Sequence, residues 1–147
     1  MLSGLKAFFE QNLKKQAELP QMTNELACAC LLAEVIFADS EFDESEWQAL
    51  LARLKLTFDL AEEDLLELAE TAKYQVKNAN DLYQFTRVVK EMDYDKRVHL
   101  IDGLWQVAFA DGSLDPHEEH IIRRICELIG LNHSDFIKAK LAQSRSG

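Results

Sequence analysis

The residues most able to do chemistry in this chain are acidic and come in two matched sets. Asp39, Asp43 and Glu46 stand as Asp-x3-Asp-x2-Glu, and Asp111, Asp115 and Glu118 repeat that spacing. Two jobs suit such a set. Asp43 and Asp115 each precede a Glu by three residues, the capping-box spacing, in which the Asp accepts from the N3 amide and the Glu reaches back to the cap's own N–H. Pro116, at the first helical position, strengthens that reading for the second set. Each cap is worth about 1 kcal/mol and requires no ligand. Asp39 and Asp111 are not explained this way. They fall at the C-terminal end of the preceding helix, where the macrodipole disfavours negative charge, so a hard cation with oxygen ligands is the second job. Its expected ligands are Asp39, Glu46, Asp111 and Glu118, with Asp43 and Asp115 as further candidates. On this reading Glu46 and Glu118 ligate instead of closing the boxes. Four carboxylates at ~4 Å repel by ~1 kcal/mol per pair in water and ~4 at a partly buried surface, and a divalent ion (calcium, magnesium, manganese or zinc) relieves that.

Other groups offer less. Asp111, Ser113 and Asp115 imitate the opening of an EF-hand loop, but Pro116 and Ile122 stand where its Gly and bidentate Glu belong. His117 and His120 could share a helical face as nitrogen ligands, although an exposed pair on a first turn is the plainer reading; His117-Glu118-Glu119-His120 is not HExxH, because Ile121 occupies the second His position. Cys28 and Cys126 lie in apolar helical runs as small core residues, and no glycine-rich phosphate cradle is present. Nothing supplies a nucleophile with a base beside it, so an enzyme is not expected.

The elements that must position the acids are helices. Only 5 Gly and 2 Pro punctuate 147 residues, and apolar residues recur at three and four. A first amphipathic helix carries Leu2, Leu5, Phe8, Phe9 and Leu13 and stops at Pro20; a second, capped by Thr23 or Asn24, runs to about Phe37; a third opens at Asp43 with Trp47, Leu50, Leu51 and Leu54 inward. Asp59 with Glu62 marks the start of a fourth, whose apolar face is Leu65, Leu66, Leu68 and Tyr74. After a break at Asn78 to Asp81 come helices from Leu82 to about Met92, from about Asp95 to Phe109, and from Asp115 to a positive-φ stop at Gly130; Ser134 caps a last one through Leu141, and 143–147 fray. Trp47, Trp105, Phe37 and Phe109 read as core packing.

The acids belong to an internal repeat. Leu32, Val35, Phe37, Ala38, Asp39, Asp43 and Glu46 recur without a gap as Leu104, Val107, Phe109, Ala110, Asp111, Asp115 and Glu118, so 32–46 and 104–118 are two copies of one helix–acidic loop–helix unit. If the halves pack about an approximate two-fold axis, the loops approach one another. The length suits one domain, 1–147. A net charge of −10 argues against nucleic acid and against direct contact with anionic lipid. No signal-like or spanning apolar run interrupts the chain, which points to the cytoplasm. Three cysteines, with Cys28 and Cys30 on nearly opposite helical faces, give neither a disulfide framework nor a zinc knuckle.

Phe109-Ala110-Asp111-Gly112-x-Leu114-Asp115-x-x-Glu118, with its degenerate copy at Phe37 to Glu46, resembles the TerB-like tellurite-resistance family, and so does the opening Met1-Leu2-Ser3-Gly4-Leu5-Lys6-Ala7-Phe8-Phe9. The resemblance extends from about Met22 to Phe136. It implies an all-helical fold of two pseudo-symmetric halves, an acidic cluster that binds metal, and a role in stress or tellurite-resistance systems associated with the inner membrane. Ser40 stands where Gly112 stands in the second loop, a departure from the motif.

The expectation is an all-α, single-domain bundle of about seven or eight helices. It is a non-enzymatic domain that binds a divalent cation and acts as sensor or adaptor, with a protein partner in a membrane-associated stress complex. The alternative is a metal-free protein–protein interaction module whose acids serve as caps and solubilising charge. Neither the ion, the partner nor the oligomeric state is written in the sequence.

Overall fold

The computed structural model describes residues 21–39 and 41–146. Among these it is all-helical, with seven helices: α1 Asn24–Ile36, α2 Glu44–Phe58, α3 Glu62–Lys77, α4 Tyr83–Val89, α5 Tyr94–Ala108, α6 Pro116–Leu128 and α7 His133–Ser146. The expected first helix, Leu2 to Leu13, lies outside the described residues.

α1 is the centre of the molecule. Ten of its 13 residues are buried, from Leu26 through Ala33 with Val35 and Ile36, so it is apolar nearly all round, which a helix tolerates only when others enclose it. It packs against α2, α3, α4, α5 and α6. Ala27, Ala29 and Ala33 of α1 and Ala69 and Ala72 of α3 are all fully buried, and small side chains let helix axes approach. Every fully buried large side chain adds to one continuous core, with Leu50, Leu54, Phe85, Ile101, Leu104, Trp105, Ile122 and Phe136 inside it.

The boundaries follow local chemistry. Thr23 Oγ1 accepts from Leu26 N at 3.1 Å and starts α1, and Asp43 Oδ1 accepts from Glu46 N at 2.9 Å and starts α2. α6 ends in a Schellman motif: Gly130 has φ 81, its N–H donates to Glu127 O at 3.2 Å, and Leu131 N donates to Cys126 O at 3.0 Å. Arg97, on α5, adds a cross-link there, donating to Ile129 O at 2.9 Å.

Three expected boundaries move. Asp59 does not open α3; it is the C-cap of α2, in the left-handed region at φ 49, and α3 begins after Ala61, which provides no side-chain cap. The inward face of α3 is Leu65, Ala69, Ala72 and Val76, while Leu66 and Tyr74 are exposed. α7 is opened not by Ser134 but by a reciprocal pair, in which Asp135 N donates to Asn132 Oδ1 at 2.9 Å and Asn132 N donates to Asp135 Oδ2 at 3.2 Å. α7 also continues past Leu141 to Ser146.

Candidate metal centre

The two acidic loops are α1–α2 and α5–α6, and each is braced by aromatic contacts. In the first, Phe42 sits 6.1 Å from Phe37 and 5.8 Å from Trp47, centroid to centroid. Lys73 of α3 covers the Phe42 ring at 4.8 Å. Behind the second, Trp105 stacks on Phe109 at 5.8 Å and meets Phe136 of α7 at 5.0 Å. The aromatics expected in the core therefore also fix the loops to α3 and α7.

Within the loops each Asp has a local task. Asp39 Oδ1 accepts from Glu41 N at 3.0 Å and Asp111 Oδ1 from Ser113 N at 3.0 Å, the side-chain-to-backbone turn that Asp favours. Both residues lie beyond the helix ends at Ile36 and Ala108, so they are turn residues and not the last residues of a helix. The macrodipole penalty expected there is correspondingly weaker. Asp43 and Asp115 are N-caps, as expected. Asp115 caps through His117 N at 2.7 Å, not through the N3 amide, and His117 Nδ1 lies 3.1 Å from the same oxygen.

The glutamates do something else. Glu46 and Glu118 do not reach back to their own caps; each is buried, with 1% of its surface exposed. They come from opposite copies of the repeat and face one another. Oε2 of both is buried without a hydrogen-bond partner. Two ionised carboxylates can only accept, so the pair is joined only if one carries a proton. Burial comes first among the causes that hold both carboxyls above the ordinary range. For Glu46, the more strongly raised, the hydrogen bond to Glu118 and that residue's charge come next, followed by Asp111 and Asp43. Glu118 is raised further by Asp39, Asp111 and Asp115. The two carboxyls thus titrate as one coupled acid pair whose proton is held more tightly than by an ordinary carboxylate.

Beside this pair, Asp39, Asp115 and Glu118 bring ligand oxygens within 4.8 Å of one another. That separation is the span of two Ca2+–O bonds of about 2.3–2.6 Å. Of the expected ligands, Asp39 and Glu118 belong to this triplet, and Glu46 adjoins it through Glu118. Asp115, held in reserve as a further candidate, belongs to it as well. Asp111 is exposed and acts on the glutamates through its charge, and Asp43 does so on Glu46 alone. His117 is exposed as well, and neither it nor His120 enters the triplet. The donor set, all oxygen with two orphaned buried atoms next to it, fits a hard divalent cation.

The fold and site define a class: a small helical domain with duplicated acidic corners that converge on one buried pair. The chain belongs to the TerB family, since the family model described as "Tellurite resistance protein TerB" matches residues 25–141. It is therefore a tellurite-resistance-related domain. No curated protein and no solved structure matches it. Among the described residues, no helix is long and apolar enough to cross a membrane.

Proposed function

We propose that this TerB domain is a non-enzymatic cation-binding sensor or adaptor, which takes a divalent ion at Asp39, Asp115 and Glu118, with Glu46, which shares a proton with Glu118, as additional ligand and Asp111 at the rim. The observation that supports it is the pair of orphaned Oε2 atoms on Glu46 and Glu118, buried beside further carboxylates. Burying acids without a counter-charge is costly, and an ion that displaces the shared proton would repay that cost. The ligands come from both copies of the repeat, so an ion held there would link α1–α2 to α5–α6. A change in that link, passed to a protein partner in a membrane-associated stress complex, is the sensing step.

The test is thermal melting with calcium, manganese, zinc or magnesium against a chelated control. A ligand at 100 times its Kd adds about 2.7 kcal/mol to native stability. Glu118→Gln should cancel the rise, whereas Glu44→Gln, on the exposed first turn of α2, should keep it. A protein whose melting ignores all four ions is the metal-free interaction module, and the acids are then caps and surface charge only.

A further inference from the structure

A second concavity lies between the start of α1, the C-terminal half of α2 and the first turns of α5, and encloses about 400 Å3. Small-molecule pockets run from about 300 to 1,000 Å3. Its walls include Leu32, Leu54, Phe58 and Leu100. Set into this apolar wall is Arg53, only 9% exposed. Arginines this deep are ordinarily paired with a carboxylate, yet Arg53 forms no ion pair among the described residues. Asp102 acts on it only through its field.

Counting protons makes the shortage sharper. Arg53 Nε donates to Gln106 Oε1 at 2.7 Å. Thr57 Oγ1 lies 2.7 Å from Arg53 O and 2.8 Å from His99 Nε2. A carbonyl cannot donate, so Thr57 gives its single proton to Arg53 O, and the ring tautomer sets whether His99 Nε2 donates to Thr57 or accepts from Arg53. Arg53 Nη1 lies 3.3 Å from that same Nε2, a neutral acceptor for it in one of the two tautomers. The guanidinium has five N–H groups and at most two neutral acceptors, Gln106 Oε1 and His99 Nε2. Its stem is accommodated by Gly103 in the middle of α5, where a Cβ would lie 2.8 Å from Arg53 Cγ. A glycine inside a helix costs about 1 kcal/mol relative to alanine, so this buried arginine is held at the expense of α5.

At the mouth, Glu25 and Asp95 outnumber Lys96. Rim charge therefore does not attract an anion, and any selectivity must come from Arg53 inside the wall, where the low dielectric makes its charge count most. We infer that this cavity binds a small amphipathic carboxylate, with its head on the Arg53 guanidinium and its saturated chain along Leu32, Leu54, Phe58 and Leu100. The ligand class is a free monocarboxylic acid of medium chain length, and the site is separate from the acidic pair.

Isothermal titration of the full chain in chelated buffer with decanoate, decanol and decyltrimethylammonium tests this, the two ionic probes below their micellar concentrations and decanol below its solubility limit. Decanoate should bind saturably at one site, decanol about tenfold more weakly, as expected for loss of a charge-assisted contact, and the ammonium more weakly still. Decanoate should move the ring resonances of His99 and leave those of His117 and His120 in place. Arg53→Met should bring decanoate down to the level of decanol. Equal binding of the three probes, no saturable decanoate binding, or shifts away from His99 would overturn the assignment without any variant being needed. A folded Arg53→Met that binds decanoate as the parent does would overturn it too.

Discussion

Glu46 and Glu118 hold equivalent positions in two copies of one motif, and they meet as a single buried acid pair. Both are almost wholly buried, with Oε2 of each enclosed and lacking a hydrogen-bond partner. The consequence for stability can be worked out from the sign of the shifts.

Both carboxyls bind protons more tightly in the folded protein than in the unfolded chain, and Glu34, half-buried on α1, is pushed up to about 7 by burial. Their contribution to stability is fully present below the unfolded carboxylate range and is lost as pH rises through the folded values. Chelated protein should therefore gain stability as pH falls from 8 to 5, with a slope of up to about 1.4 kcal/mol per pH unit for each proton taken up. Urea denaturation at constant ionic strength measures it. Glu46→Gln, which resembles the protonated acid, should flatten the curve and raise stability at pH 8.

Ion binding at the pair has to expel the shared proton. Calcium or manganese affinity should climb about tenfold per pH unit around neutrality if one proton leaves. Titration calorimetry in two buffers of different ionisation enthalpy should give different apparent heats. Identical heats would place the ion away from Glu46 and Glu118.

Asp59 is the only non-glycine residue with positive φ among the described residues, at φ 49. It also puts a negative charge at the C-terminal end of α2. Asp59→Gly should relieve both and raise stability by up to about 1 kcal/mol, read as a shift of the urea midpoint with an unchanged slope.

The thiols should be inert in the folded state. Burial, helped by neighbouring acids, pushes Cys28 and Cys30 up to about 12 and Cys126 up to about 11. At pH 8 a thiol near 12 is ionised in roughly one molecule in 10,000. A disulfide reagent should label all three only at the rate of unfolding, and urea should remove the protection.

The sequence was informative wherever a residue acts on its own neighbours. Thr23, Asp43, Pro116 and Gly130 do locally what their types and spacing predict, because caps and left-handed stops depend on a few adjacent bonds. Asp59 with Glu62 has the same spacing as Asp43 with Glu46, and nothing local separates a start from a stop; packing decided it. Spacing alone misplaces the α3 face because Leu66 and Tyr74 offer larger apolar surfaces than Ala69 and Ala72, while the buried side of this helix is built partly of small residues. The repeat pointed to the acidic loops, but not to which acids turn inward, since the meeting of Glu46 with Glu118 is set by how α2 and α6 fall around α1. Arg53 carries no signal in the sequence: a single arginine within a helix looks like surface until Gly103 and Gln106 are seen opposite it.

Arg97 ties the start of α5 to the carbonyls that finish α6, at the end of this hairpin opposite its acidic corner. The hairpin is thereby closed twice, by the chain itself through the acidic corner and by this one guanidinium at the open end, so the position of Glu118 on α6 is referred to α5 from both directions.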